Sequence, residues 1–257
     1  MDEQEIIGRG SMGRLWWVGD TVRRERGPHS DAVAALLHHL EARGYEYSPR
    51  HLGVDGQGRD VLSRVPGEPV PTLRGDEQLC EVGYAVAGFA RAVADFSFAG
   101  WGWRNPEGWP CHGDTVIHND VVPWNMLEVD GHLSGLVDFD SARPGRAMED
   151  VAYAAWHMTP LHDEPMGDGA APPPLEDRPR RLRVFADACA LDVPGREQLL
   201  DEVARVQVTQ AARVAAGALG KNSATLRHWD HGRFTRNTAR SLLWLDQHRD
   251  HLQPALE

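Results

Sequence analysis

The stretch Val116-Ile117-His118-Asn119-Asp120-Val121-Val122-Pro123-Trp124-Asn125-Met126-Leu127-Glu128-Val129, continued by Asp130-Gly131-His132-Leu133-Ser134-Gly135-Leu136-Val137-Asp138-Phe139-Asp140, decides how the chain is read. Val116 and Ile117 predict a strand ending at His118, after which Asp120 and Asn125 lie on a loop stiffened by Pro123. Two apolar runs, 126–129 and 133–137, flank Asp130-Gly131, a dipeptide suited to the positive-φ corner of a tight hairpin. The hairpin brings Asp138 back beside Asn125, although the two are 138 − 125 = 13 positions apart.

The expected constellation is one carboxylate able to meet a hydroxyl, with an amide oxygen and a second carboxylate placed together. Hard oxygen donors of this kind suit Mg²⁺, which completes its shell with water and nucleotide phosphates. H-x-D-x-x-x-x-N followed by a strand-borne D-F-x is a pattern used in phosphoryl transfer. Through Asp120, Pro123 and Asn125, which match its Asp-x-x-Pro-x-Asn loop, the chain resembles the aminoglycoside phosphotransferase and choline kinase-like group of small-molecule kinases. The resemblance implies a protein-kinase-like bilobal α+β fold. Residues 1–68 would form a small antiparallel-sheet lobe with one helix, and 69–257 a larger, mostly helical lobe.

A second register competes, because His112-Gly113-Asp114 followed by Asn119 has the same spacing. It would spend residues 115–118 as loop, put 138 − 119 = 19 positions before Asp138 and leave Pro123-Trp124 outside the loop. Asp120 is therefore preferred. The plain alternative for the whole stretch is a core hairpin with solvated acids at its ends.

With 257 residues, 41% hydrophobic and 25% charged, the chain suits a soluble globular protein of one large domain or two lobes. A net charge of −11 argues against a nucleic-acid partner, which requires clustered cations, and suits a cationic acceptor. Cys80, Cys111 and Cys189 are too few and too scattered for a disulfide framework, and no run reaches membrane-spanning length, so the cytoplasm is the expected location. The 13 histidines include no H-E-x-x-H and no compact zinc set.

Gly8-Arg9-Gly10-Ser11-Met12-Gly13 spells G-x-G-x-x-G. The run after it, Leu15-Trp16-Trp17-Val18, is strand-like rather than helical, so Gly8, Gly10 and Gly13 fit a loop between strands, where backbone N–H groups can close over phosphates. An ordinary glycine-rich hairpin is the alternative. Alternation along Val22-x-Arg24 puts Arg24 on the phosphate face, where the resembled family usually has lysine, and Arg23 on the other. A helix is expected over 30–43 with Ser30 as N-cap and Gly44 as stop. The family's glutamate partner falls on Val33, so Arg24 needs another anion, Asp31 or Asp138. Strands at 51–55 and 60–65 lead to the crossing between lobes, where the resemblance implies that Ser63 and Val65 offer backbone groups to an adenine edge.

Further on, 76–98 reads as a core helix, and the Trp- and Gly-rich segment 100–110 as a loop packed on the larger lobe or an aromatic wall for a substrate. Asp150 is expected to cap the helix that starts near 148 and, by resemblance, to brace the catalytic loop, with His118 fixing the same loop. Residues 161–179 fit a lid or a linker, and helices are expected over 175–189, 195–219 and 226–250, with His228, Trp229, Asp230 and His231 at a helix start.

By resemblance, then, Asp120 is the catalytic base, Asn125 and Asp138 hold Mg²⁺, and ATP or GTP phosphorylates a hydroxyl of a small-molecule acceptor. Asp140, in place of the family's glycine, stands outside the catalytic set. Two rivals remain: an immunity-type nucleotide-binding protein on the same scaffold without transfer activity, and a metabolic kinase for choline or a homoserine-like acceptor.

Overall fold

The computed structural model of the chain describes residues 3–6, 14–70, 75–105, 112–163, 171–219 and 233–257. Gly8, Gly10, Gly13, Trp109, Cys111, residues 164–170 of the expected lid, and His228, Trp229, Asp230 and His231 lie outside the described residues.

The amino-terminal part is an antiparallel sheet of β1 (Glu3–Ile6), β2 (Leu15–Val18), β3 (Thr21–Arg24), β4 (His51–Val54) and β5 (Asp60–Ser63), in the order β1-β2-β3-β5-β4. Alternation along β3 acts as expected. Arg23 turns to Asp55 on one face (3.4 Å), and Arg24 turns to the opposite face. Helix α1 (Ser30–Ala42) crosses beside the sheet and buries Leu36, Leu37 and Leu40. It stops where Gly44 takes φ +69°, which lets Tyr45 N–H reach back to Leu40 O (2.9 Å). Ser30 is not the N-cap. His29 holds that position, because Ser30 Oγ is used to accept the Gly27 N–H (2.9 Å) and so ties the preceding Gly27-Pro28 turn.

Beyond the crossing, β6 (Glu68–Pro69), β8 (Met126–Val129) and β9 (His132–Leu136) form a three-stranded sheet, and β7 (Thr115–Ile117) pairs antiparallel with β10 (Arg143–Gly145). The β8–β9 corner is the expected one, with Asp130 and Gly131 at φ 53° and 86°. The helices are α2 (Asp76–Ala92), α3 (Ala147–Met158), α4 (Arg178–Ala188), α5 (Val193–Leu219) and α6 (Arg233–Leu252). Helix α2 ends short of the expected residue 98 because the Ala92 carbonyl accepts a hydrogen bond from His39 Nε2 (2.9 Å) instead of from another helical turn. Residues 175–177 form a separate short turn, with Pro179 in the first turn of α4.

One apolar core joins the two parts. Leu36, Leu37 and Leu40 of α1 pack in the same cluster as Leu79, Val82 and Phe89 of α2, Trp156 of α3, and Phe185 and Leu199 beyond. Each such fully buried leucine contributes on the order of 2 kcal/mol, so burial ties α1 to the helical part. Among the described residues, no helix is long and apolar enough to cross a membrane.

Within this core the His157 ring lies between Tyr153 (4.8 Å) and Trp156 (4.5 Å), and its Nε2 has no hydrogen-bond partner among the described residues. Burial pushes its pKa down to about 3. The folded state therefore refuses a proton that the unfolded chain accepts below its ordinary value of 6.5. Stability carried by the neutral ring is fully present above pH 6.5 and is lost as the pH falls toward 3. Replacing His157 with Phe should remove this loss. In urea titrations the variant is expected to gain on the parent by about 1.4 kcal/mol per pH unit between pH 6 and pH 4. A gap independent of pH would contradict it.

Candidate active site

The loop after β7 is fixed from below by a carboxylate and from the side by an imidazole. Asp150, near the start of α3, accepts hydrogen bonds from the backbone N–H groups of His118 (2.6 Å) and Asn119 (2.7 Å). It does not cap its own helix. Glu149 takes that task, accepting from the Arg146 N–H (3.1 Å). Burial pushes the Asp150 carboxyl up to about 6, against the opposing pull of the two N–H groups. The fully buried His118 accepts the Asp120 N–H at Nδ1 (3.2 Å) and donates from Nε2 to Val137 O (3.2 Å). Its ring stands edge-on to Phe139 at 4.6 Å, and burial lowers its pKa to about 3, so it is a neutral strut.

These ties set the loop that carries Asp120 and Asn125 against the segment that leads to Asp138. Val137 N–H donates to Asn125 O (2.9 Å), which sets the end of β9 against the loop. Asn125 Nδ2 donates to Asp120 O (3.0 Å) and to Asp120 Oδ2 (2.9 Å), which leaves its Oδ1 out of these bonds. Asp120 also receives the Tyr153 hydroxyl at Oδ1 (3.5 Å). Burial first, then the charge of Asp138, pushes the Asp120 carboxyl up to about 7. Asp138 adopts a left-handed conformation (φ 64°, ψ 61°) with its side chain 33% exposed, and Asn119 also has φ 64°. Non-glycine residues in this region cost on the order of 1 kcal/mol each, so strain is concentrated at both ends of the site.

Arg24 reaches this point from β3. It pairs with Asp138 (3.2 Å) and, more closely, with the buried Asp140, which also has His29 Nε2 at 3.5 Å. The expected partner Asp31 is taken by Arg26 instead. Asp140 is thus the acid that compensates the missing helix glutamate, a role that its place in the motif did not reveal. In the competing register, Asp114 is exposed at the start of β7, residues 115–117 are strand, and Asn119 spends its amide on Ser141 O (3.2 Å). Asp120 is the acid that faces Asn125.

At the crossing, Ser63 N–H donates to Arg50 O (2.8 Å) and its hydroxyl accepts the Arg50 N–H (2.8 Å), so its donor is spent within the sheet. Val65 packs so closely on Gly135 that a Cβ there would come within 2.4 Å of its Cγ1. Several side chains around the site lie outside any motif. Tyr153 and Gln210 are two; Gln210, on α5, donates to Asn119 Oδ1 (3.0 Å). Arg213, one helical turn further, donates to Asn105 Oδ1 (2.7 Å), and Arg104 is the neighbour of that asparagine. The spacing Gln210-x-x-Arg213 marks one helix face, but nothing local says what that face meets.

A divalent cation fits the donors present. Asn125 Oδ1 and the Asp138 carboxylate are oxygen donors on segments joined by the bond from Val137 N–H to Asn125 O, and two protein oxygens are what Mg²⁺ commonly takes beside water and phosphate. Among the described residues no group of three or more His, Cys, Asp or Glu side chains forms an all-protein metal cage.

The phosphotransferase enzyme family model matches residues 106–182. Over the whole chain the sequence is 30% identical to the trifolitoxin immunity protein of Rhizobium leguminosarum bv. trifolii, with all of both proteins covered. A homoserine kinase of Brucella anthropi is 29% identical over 157 residues, 59% of this chain and 43% of that enzyme. The structure of a microcompartment-associated aminopropanol kinase superposes with a TM-score of 0.62 at 14% identity, over 100% of this chain and 95% of that one. The chain belongs to the aminoglycoside phosphotransferase and choline kinase-like family of small-molecule phosphotransferases, and its fold is the protein-kinase-like bilobal α+β fold.

Asp150→Ala would leave two buried N–H groups without an acceptor. Since hydrogen bonds to a charged group contribute about 1.5–3 kcal/mol each, the variant should lose about 3 kcal/mol or more of stability. Asp150→Asn, which keeps one acceptor oxygen, should lose about half as much. Equal urea midpoints for all three proteins would exclude the brace.

Proposed function

We propose that the chain transfers the γ-phosphoryl group of ATP or GTP to a hydroxyl of a small molecule. What supports this reading is the hydrogen bond between Asn125 and Asp120, the bond from Val137 N–H to Asn125 O next to Asp138, and the Asp120 carboxyl pushed up to about 7. In the transfer, the acceptor oxygen forms the new bond to phosphorus, the bond from phosphorus to the β-phosphate oxygen breaks, and the acceptor proton passes to the Asp120 carboxylate. A base whose pKa lies near the working pH is best placed to take it. Asn125 Oδ1 and Asp138 are the residues that would hold Mg²⁺, and a bound cation would neutralise phosphate charge. His118 and Asp150 keep Asp120 aimed. Gly8, Gly10 and Gly13 are proposed to close over the phosphates, and Ser63 and Val65 to flank the base.

The acceptor falls in one of two families of compound. The net charge of −11 suits a cationic amino-hydroxyl compound, including antibiotics of that kind, and the partial match to a homoserine kinase favours an amino acid alcohol. An ATP-dependent reaction of this kind belongs in the cytoplasm. A second reading, an immunity-type protein that binds nucleotide without transferring phosphate, is favoured by the full-length match to the trifolitoxin immunity protein and by the pairing of Arg24 with Asp138.

Asp120→Asn should lower turnover by about 10²–10⁴-fold, the usual contribution of a general base. Affinity for the Mg²⁺ nucleotide should stay within a few-fold, whereas Asn125→Ala and Asp138→Asn should weaken it. Release of nucleoside diphosphate across a panel of choline, homoserine and aminoglycosides, with calorimetry for binding, reads both quantities. Full turnover in Asp120→Asn would overturn the base. Nucleotide binding without transfer to any acceptor would favour the second reading.

A further inference from the structure

The Trp-rich segment after α2 is tied to its own start, passes close to Pro28 and is bonded at its far end to α5. Its start is fixed by Trp101 Nε1, which donates to Ser97 O (3.1 Å), and by Trp103 Nε1, which donates to Phe98 O (3.0 Å) while the ring packs on Phe96. Gly102 lies under the amino-terminal part, where a Cβ would come within 3.3 Å of Pro28 O, one residue from the His29 that faces Asp140. The far end is fixed by the bond from Arg213 of α5 to Asn105. Arg104 sits between these anchors, and there its half-buried guanidinium feels the charges of Asp140, Asp138, Arg24 and Asp120 without a hydrogen bond to any of the three acids.

That position has a chemical meaning when set beside Arg24. The arginine expected to serve the phosphates already spends its charge on Asp138 and Asp140. Arg104 carries a second positive charge to the same place, with its planar donor fork unspent on these acids. A partly buried guanidinium is costly to leave without acceptors, and a phosphoryl group supplies three oxygens in the geometry that the fork matches.

We propose that Arg104 is a catalytic residue that binds the transferring phosphoryl group and stabilises the negative charge spread over its equatorial oxygens. The assignment rests on the phosphotransferase reading above and adds to it a cation supplied by the chain itself. The bonds made and broken are unchanged: phosphorus passes from the β-phosphate oxygen to the acceptor oxygen, and the proton goes to Asp120. Arg104 exchanges no proton. It acts as an arginine finger does, on charge that is greatest in the transition state.

The test compares binding of Mg²⁺ and ADP (or GDP) to the full chain with and without aluminium fluoride, which mimics the phosphoryl group in flight and needs no acceptor. The wild type is expected to bind nucleoside diphosphate at least about tenfold more tightly with aluminium fluoride. Arg104→Ala should keep the affinity for diphosphate alone within about threefold and lose most of that increment, with turnover reduced by about 10³-fold. Arg104→Lys should retain part of both, and added guanidinium should partly restore the alanine variant. If Arg104→Ala does not fold, Arg104→Gln and Arg104→Lys provide the same comparison. An undiminished increment in the folded variants would overturn the assignment while leaving the kinase reading intact. Failure of the wild type to bind Mg²⁺ nucleotide would remove that reading and this assignment with it.

Discussion

The neutral imidazole of His118 holds the site in one piece. It receives the Asp120 N–H on one nitrogen and delivers its own proton to Val137 O from the other, so that a loop and the end of a hairpin share one rigid connector. A buried hydrogen bond of this kind has modest net worth but is costly to leave unmade, which makes the geometry well defined rather than merely favourable. Because burial lowers the pKa to about 3, the ring keeps one donor and one acceptor across the whole physiological range. The Asp150 carboxylate completes the frame from beneath by holding the two N–H groups that precede Asp120.

On that frame the acids are arranged so that each does something different. Asp120 is crowded by burial and by Asp138, and its carboxyl moves toward neutrality. Asp138 stays more exposed at the cleft, in a left-handed conformation that points its carboxylate across to Arg24. Asp140 lies buried two residues on and takes the closer ion pair with the same arginine. Three acids within two segments would repel one another severely in a dry interior. Arg24 and Arg104 are the cations set against the cluster, with His29 Nε2 3.5 Å from Asp140, and all three residues come from outside the hairpin and its loop.

The substitution pattern around Arg24 shows how a family scaffold absorbs a missing partner. With Val33 where a helix glutamate is usual in the resembled family, the cation on β3 turns to the D-F-x segment, and the third residue of that segment is an acid rather than glycine. The pairing then runs between the sheet and the far lobe instead of within the sheet's own lobe. Since α1 shares its apolar core with α2, the two parts are already held together by burial, and the ion pair sets their register at the cleft.

The local chemistry of the chain was enough to foresee the hairpin, the loop and the return of the end of β9 to Asn125. Period-two alternation, a proline and an Asp-Gly corner act over a few residues, and their consequences are settled before any tertiary contact forms. The same holds for the end of α1 at Gly44 and for the two faces of β3. Other features required the folded chain. Asp140 as the partner of Arg24, Asp150 as a brace instead of a cap, and Arg104 and Arg213 around the cleft depend on contacts between residues roughly thirty to over a hundred positions apart. A charged side chain chooses among partners by distance and desolvation. Those quantities exist only once the helices have packed.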